Sequence, residues 1–120
     1  MYSAQLLDHF QNPRNAGVVE SPSAEARVEN PVCGDILQLS LKVETGVITQ
    51  ARFRCKGCVA AMACSSLLTE MLTGMSVAKA SHLKREELVA KIGGLRPESL
   101  HASHLAMDAL AAVLKRLDQA

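Results

Sequence analysis

Cys33, Cys55, Cys58 and Cys64, with His101 and His104 further along, supply the soft and borderline donor atoms of this 120-residue chain. Thiolate and imidazole bind transition metals, and the thiolate is also the reactive form of cysteine. Cys33 stands in Asn30-Pro31-Val32-Cys33-Gly34-Asp35, a turn-rich run just ahead of a strand pattern, which places it in a loop. Asp35 follows two positions later, and the intervening glycine lets a thiolate and a carboxylate converge on one metal. The same run also reads as a plain turn with a buried thiol. Cys58 follows Gly57 at the start of a long helical pattern, where free N–H groups and the positive end of the helix dipole favour the thiolate. A lowered thiol pKa is expected there. The competing reading of Cys58 is an apolar residue at a helix start.

Cys55 and Cys58 form Cys-Lys-Gly-Cys, a spacing common in metal sites, but no second such pair completes the motif. Strand alternation sets Cys55 on an apolar face with Ala51 and Phe53, so a core thiol is expected. Cys64 lies on the helical stripe of Leu67, Leu68 and Met71 and is expected in the core as well. His101 and His104 are three apart, so both rings can face one side of a helix, with Asp108 one turn beyond His104 to orient an imidazole. Taken without the cysteines, a solvated polar face is the simpler reading of this pair. His9 and His82 have no partner pattern and read as surface residues.

The elements that must position these groups follow from periodicity. Leu6, Leu7 and Phe10 suggest a short first helix, ended by Asn12 and Pro13. A turn-rich connector runs from Arg14 to Ser23, and Ala26 and Val28 start an edge strand. Leu37, Leu39, Leu41 and Val43 alternate with polar residues in a half-buried strand. Glu44-Thr45-Gly46 is a turn signal, after which Val47, Thr49, Ala51, Phe53 and Cys55 are expected on one face, with Ile48, Gln50, Arg52 and Arg54 on the other, completing a hairpin. From Gly57 to Gly74 the period becomes helical, with Ala60, Cys64, Leu67, Leu68, Met71 and Met75 on one side. A shorter helix is expected around Arg85 to Ile92. Pro97 precedes a last amphipathic helix with Ala106, Ala109, Leu110, Val113 and Leu117 inward. Strands first and helices after predict an α+β fold, residues 1–120 forming one domain in which helices cover one face of a small antiparallel sheet.

Composition narrows the function classes. A formal charge of +1, 2% aromatic residues and no Trp argue against nucleic acid, which needs basic excess and stacking surfaces. No apolar run is long enough to span a bilayer, and the N-terminus lacks a secretory signal, so no membrane association and a cytoplasmic location are expected. Thiols are kept reduced there, which favours metal ligands or core residues over disulfides.

Four segments, MYSAQLLDHFQNPRNAG, NPVCGD, FRCKGCVAAMACSSLLTEML and LHASHLAMDAL, resemble in order the segments of IscU/NifU-type iron–sulphur cluster assembly scaffolds over nearly the whole chain. The resemblance implies a small three-stranded antiparallel sheet under helices, IscU/SufE-like. It also implies a non-catalytic scaffold or carrier that binds iron and a transient [2Fe–2S] cluster and passes it to recipient apoproteins, with a cysteine desulphurase as sulphur donor. Carried over by position, the cluster ligands are Cys33, Asp35, Cys58 and His101. Where relatives read His-Cys-Ser, this chain has His101-Ala102-Ser103, so the third cysteine, a ligand and persulphide acceptor in the family, is missing. With two cysteines, an aspartate and a histidine, a labile cluster is expected. His104 is a substitute ligand in waiting. Leu95-Arg96-Pro97-Glu98-Ser99 departs from the LPPVK-like segment read by an Hsp70-type chaperone, which counts against that partner. A monomer or weak homodimer is expected. Two alternatives are a zinc-binding, SufU-like sulphur-relay protein holding Zn²⁺ through the same four residues, and a metal-free homologue that regulates the assembly machinery.

Overall fold

The computed structural model describes residues 2–119, and Met1 and Ala120 lie outside the described residues. Helix α1 (Ala4–Gln11) is capped by Ser3, whose hydroxyl accepts from the Leu6 N–H. Strands β1 (Ala24–Glu29), β2 (Ile36–Glu44) and β3 (Val47–Lys56) form an antiparallel sheet in the order β1-β2-β3. Helices α2 (Val59–Leu72), α3 (Val77–Ala80), α4 (Arg85–Lys91) and α5 (Leu100–Gln119) follow, α5 entered through a 3₁₀ turn at Pro97–Ser99. Helix α2 packs on β3, α5 crosses β1 and β2, and the two helices touch each other. Helix α1 lies against the outer side of α2. The α+β arrangement expected from the element order is therefore the observed one.

The core is filled by Leu37, Leu39, Leu41, Ala51 and Phe53 from the sheet and Ala60, Cys64, Leu68, Ala109 and Val113 from the helices. Burying large aliphatic and aromatic side chains supplies most of the free energy that holds such a domain together. Three elements depart from expectation. A register shift between Lys42 and Val43 turns the start of β3 over, so Ile48 is fully buried while Val47 and Thr49 are exposed. A bulge inserts one residue and reverses the inward-outward alternation beyond it. Helix α2 is buried almost all round, with Ala61, Ala63, Ser65, Ser66 and Thr69 inside as well as the aliphatic stripe, because α1 covers the side that the stripe leaves open. The one-turn α3 at Val77–Ala80 is too short to carry a helical period in the sequence.

His9 is buried, not on the surface. Its Nδ1 lies 2.8 Å from the Ser66 hydroxyl and its Nε2 3.7 Å from Glu70. Burial, and secondly the Arg14 charge, hold its pKa below the ordinary value of about 6.5. The folded chain thus keeps His9 neutral where the unfolded chain already takes up a proton. The stability due to the neutral ring is complete above about pH 6.5 and is lost as pH falls below it toward the folded value. The urea midpoint should drop between about pH 7 and about pH 5, and less steeply in His9→Gln. Equal slopes in the two proteins would contradict this assignment.

Candidate metal centre

Three segments meet at one end of the sheet. The first is the loop between β1 and β2. The Asn30 side chain accepts from the Val32 N–H, the Asn30 carbonyl accepts from the Gly34 N–H at 2.7 Å, and the Asn30 N–H donates to the Asp35 carbonyl at 2.8 Å. This clamps a tight loop with Gly34 at φ +75°, a conformation that costs glycine little. The loop leaves Cys33 exposed and turns Asp35 inward, where it is 6% exposed. Cys33 is therefore not the buried thiol of a plain turn.

The second segment is the junction of β3 and α2. Asp35 lies over Gly57 so closely that a Cβ built on Gly57 would stand 2.7 Å from the Asp35 Cγ. No other residue type leaves room for that approach. Cys58 is the N-cap of α2, and its Sγ accepts from the Ala61 N–H at 3.4 Å. The third segment is the start of α5, which presents His101, half-exposed.

The donor atoms converge. Cys58 Sγ lies 3.4 Å from Asp35 Oδ2 and 3.6 Å from His101 Nε2, and the latter two are 3.6 Å apart. In a tetrahedron with bonds of 2.0–2.3 Å, donor atoms are about 3.3–3.8 Å apart. Three edges of that figure are thus already drawn by an oxygen, a nitrogen and a sulphur. Cys33 contributes the next donor: its Sγ and ligand atoms of Asp35 and His101 all lie within 4.8 Å of one another.

The other candidates are placed elsewhere. His104, expected as a substitute ligand, is exposed and is not in the group of Cys33, Asp35 and His101, whereas the α5 start brings His101 to 3.6 Å from Asp35. Asp108 is exposed too, and Asp35 is the carboxylate beside the His101 ring. Cys64 is fully buried, its thiol pushed up to about 12 by burial. Cys55 is only half-buried at the rim of the core, and burial raises its thiol to about 11, with a hydrogen bond from Ser65 opposing. The lowered pKa expected of Cys58 is also corrected. Partial desolvation of this exposed residue raises it, and the Asp35 carboxylate adds to that, while the Ala61 N–H of the helix start pulls the other way and is outweighed. A free Cys58 is a thiol hydrogen-bonded to Asp35, and a cation must displace that proton to bind. Ala102 is buried beside His101 and offers no donor.

Residues 1–119 match the family described as NifU-like N terminal domain. The chain belongs to this family. Within the NifU-like N-terminal domains, it is 43% identical over 110 residues to "Iron-sulfur cluster assembly scaffold protein IscU 1" of Archaeoglobus fulgidus, covering 92% of this chain and 72% of that protein. It is 38% identical over 117 residues to the Haemophilus influenzae "Iron-sulfur cluster assembly scaffold protein IscU", covering 94% of this chain and 92% of the other. The crystal structure of a NifU-like protein (N-terminal) from Brucella abortus superposes with a TM-score of 0.78 at 20% identity over 98% of this chain and 94% of that one. That likeness carries the fold alone. Among the described residues, no helix of this NifU-like domain is long and apolar enough to cross a membrane.

Proposed function

We propose that this chain is an iron–sulphur cluster assembly scaffold that holds iron and a labile [2Fe–2S] cluster as cargo through Cys33, Asp35, Cys58 and His101, and hands it to recipient apoproteins. The observation that carries this reading is the convergence of Cys58 Sγ, Asp35 Oδ2 and His101 Nε2 within 3.4–3.6 Å of one another. Relatives named as scaffolds at 38–43% identity over most of the chain support it. Four donors of which only two are thiolates bind iron less tightly than four thiolates, which suits a cargo that must leave. All four cysteines are free, as a reducing cytoplasm would keep them. A cysteine desulphurase supplies the sulphur in this reading, and residues 1–120 act as one domain.

A second reading, a zinc-bound sulphur relay, is favoured by one observation: the donor spacing is that of a tetrahedral site, which Zn²⁺ prefers. Metal and sulphide analysis separates the two. Protein purified and reconstituted without oxygen should carry iron and acid-labile sulphide in equal amounts and absorb in the visible. Zinc without sulphide, in a protein that speeds a desulphurase, would instead support the relay. A colourless protein with neither metal would overturn both.

A further inference from the structure

The outer edge of β3 is covered only in part. Residues 15–17 run along it as a short parallel pairing: the Phe53 N–H donates to the Asn15 carbonyl at 3.0 Å, and the Gly17 N–H donates to the Phe53 carbonyl at 2.7 Å. At Gly17, with φ +121°, the chain leaves the edge and crosses the outer face of the sheet, where the Val19 N–H donates to the Ser40 hydroxyl at 2.9 Å. The rung it abandons belongs to Cys55. Cys55 stands two residues beyond Phe53, so its N–H and C=O point to the same outer edge. Among the described residues, neither group has a partner across that edge. At this rung a groove of about 380 Å³ opens, lined by Pro13, Ala16, Phe53, Arg54 and Met62 together with Cys55 itself. On the other face of the strand Arg54 and Lys56 are exposed and, among the described residues, join no ion pair. Water satisfies many open strand edges, but this one is flanked by apolar side chains on one face and cations on the other.

We propose that an extended segment of a partner protein, its residues alternating apolar and acidic, adds to the β3 edge at Cys55. A strand laid there continues the ladder that residues 15–17 begin. One of its carbonyls accepts from the Cys55 N–H, and one of its N–H groups donates to the Cys55 carbonyl. Successive side chains of an added strand point to opposite faces of the sheet, which dictates the alternation. Those on the helix-facing side fill the groove beside Pro13, Ala16 and Met62. Those on the other side meet Arg54 and Lys56, and carboxylates complement these two cations. Main-chain pairing supplies the affinity and the alternate side chains supply the choice of partner. Cys55 to Cys58 is about 10 Å of extended chain, so the docked segment lies close to the metal centre. The inference concerns the strand edge and does not rest on the cargo that the centre holds.

The probe is a short, end-blocked peptide of alternating valine and glutamate, added in excess to the reduced, nitrogen-15-labelled full chain and followed by NMR and amide hydrogen exchange. In the free chain the Cys55 amide should exchange at least about tenfold faster than the Phe53 amide, which is already paired. Saturating peptide should slow Cys55 exchange about tenfold and shift the amide signals of Ala16, Cys55 and Met62. A peptide of the same composition with valines and glutamates in separate blocks, and one alternating valine and lysine, should each bind at least about tenfold more weakly. Arg54→Glu should lose the valine–glutamate peptide and gain the valine–lysine one, an exchange that a misfolded variant does not produce. A Cys55 amide as protected as that of Phe53 in the dilute free chain, shifts centred away from the β3 edge, or equal binding of the three peptides overturns the proposal. Cys55 protection that rises with protein concentration without peptide would give the edge to a second copy of the chain and overturns it too.

Discussion

Cys58→Ala should abolish cluster reconstitution and lower metal affinity by more than about 100-fold, with the fold intact. Loss of an outer-shell partner of a metal ligand costs about 10–100-fold, and loss of the ligand itself exceeds that. Cys58 is central because its Sγ touches both other fixed donors, Asp35 at 3.4 Å and His101 at 3.6 Å. Removing it leaves an oxygen and a nitrogen on rigid elements and one thiol on an exposed loop. Structurally the change is mild. The residue is exposed, and the alanine forfeits one weak cap from sulphur to the Ala61 N–H, at the low end of the roughly 0.5–2 kcal/mol seen for caps. Zinc competition titration, visible absorption after reconstitution and circular dichroism report the three quantities. Unchanged metal affinity in a folded Cys58→Ala would remove Cys58 from the centre.

Gly57→Ala tests whether the backbone was shaped for the carboxylate. The added Cβ would meet Asp35 Cγ at 2.7 Å, Oδ1 at 2.8 Å and Cβ at 3.1 Å. A short, buried aspartate cannot swing aside as the end of a lysine can, so the carboxylate or its loop must move away from Cys58 and His101. Metal affinity should fall about 10–100-fold, a positioning effect of the size seen when ligand-supporting groups are lost. The change should do nothing further in an Asp35→Gly background, because every close contact of the added Cβ is with the Asp35 side chain. Additive losses in the double variant would show that Gly57 matters for some other reason.

Much of this was legible in the residues because local signals agreed with the tertiary result. Alternation in β2, the proline after Asn12 and the small-residue helix after Gly57 each name an element that the structure contains. The failures share a cause. The bulge at Lys42/Val43 is set by how β2 and β3 pair, and nothing within either strand announces that one residue is skipped. His9 looks like a surface residue until α1 is laid on α2 and Ser66 becomes its neighbour. His101 and His104 are equivalent by helical spacing, and only the position of Asp35, sixty-odd residues upstream, distinguishes them. The raised Cys58 thiol follows from tertiary surroundings too: a helix start alone favours a thiolate, whereas desolvation, and then the buried carboxylate beside it, do not. Long-range proximity is what periodicity does not encode.

X-ray absorption at the zinc edge of the zinc-loaded chain tests the central geometry most directly. The ligand set of Cys33, Cys58, Asp35 and His101 predicts two sulphurs at about 2.3 Å and two nitrogen or oxygen neighbours at about 2.0–2.2 Å, with one sulphur lost in Cys58→Ala. A shell of nitrogen and oxygen alone, or one of four sulphurs, would contradict it.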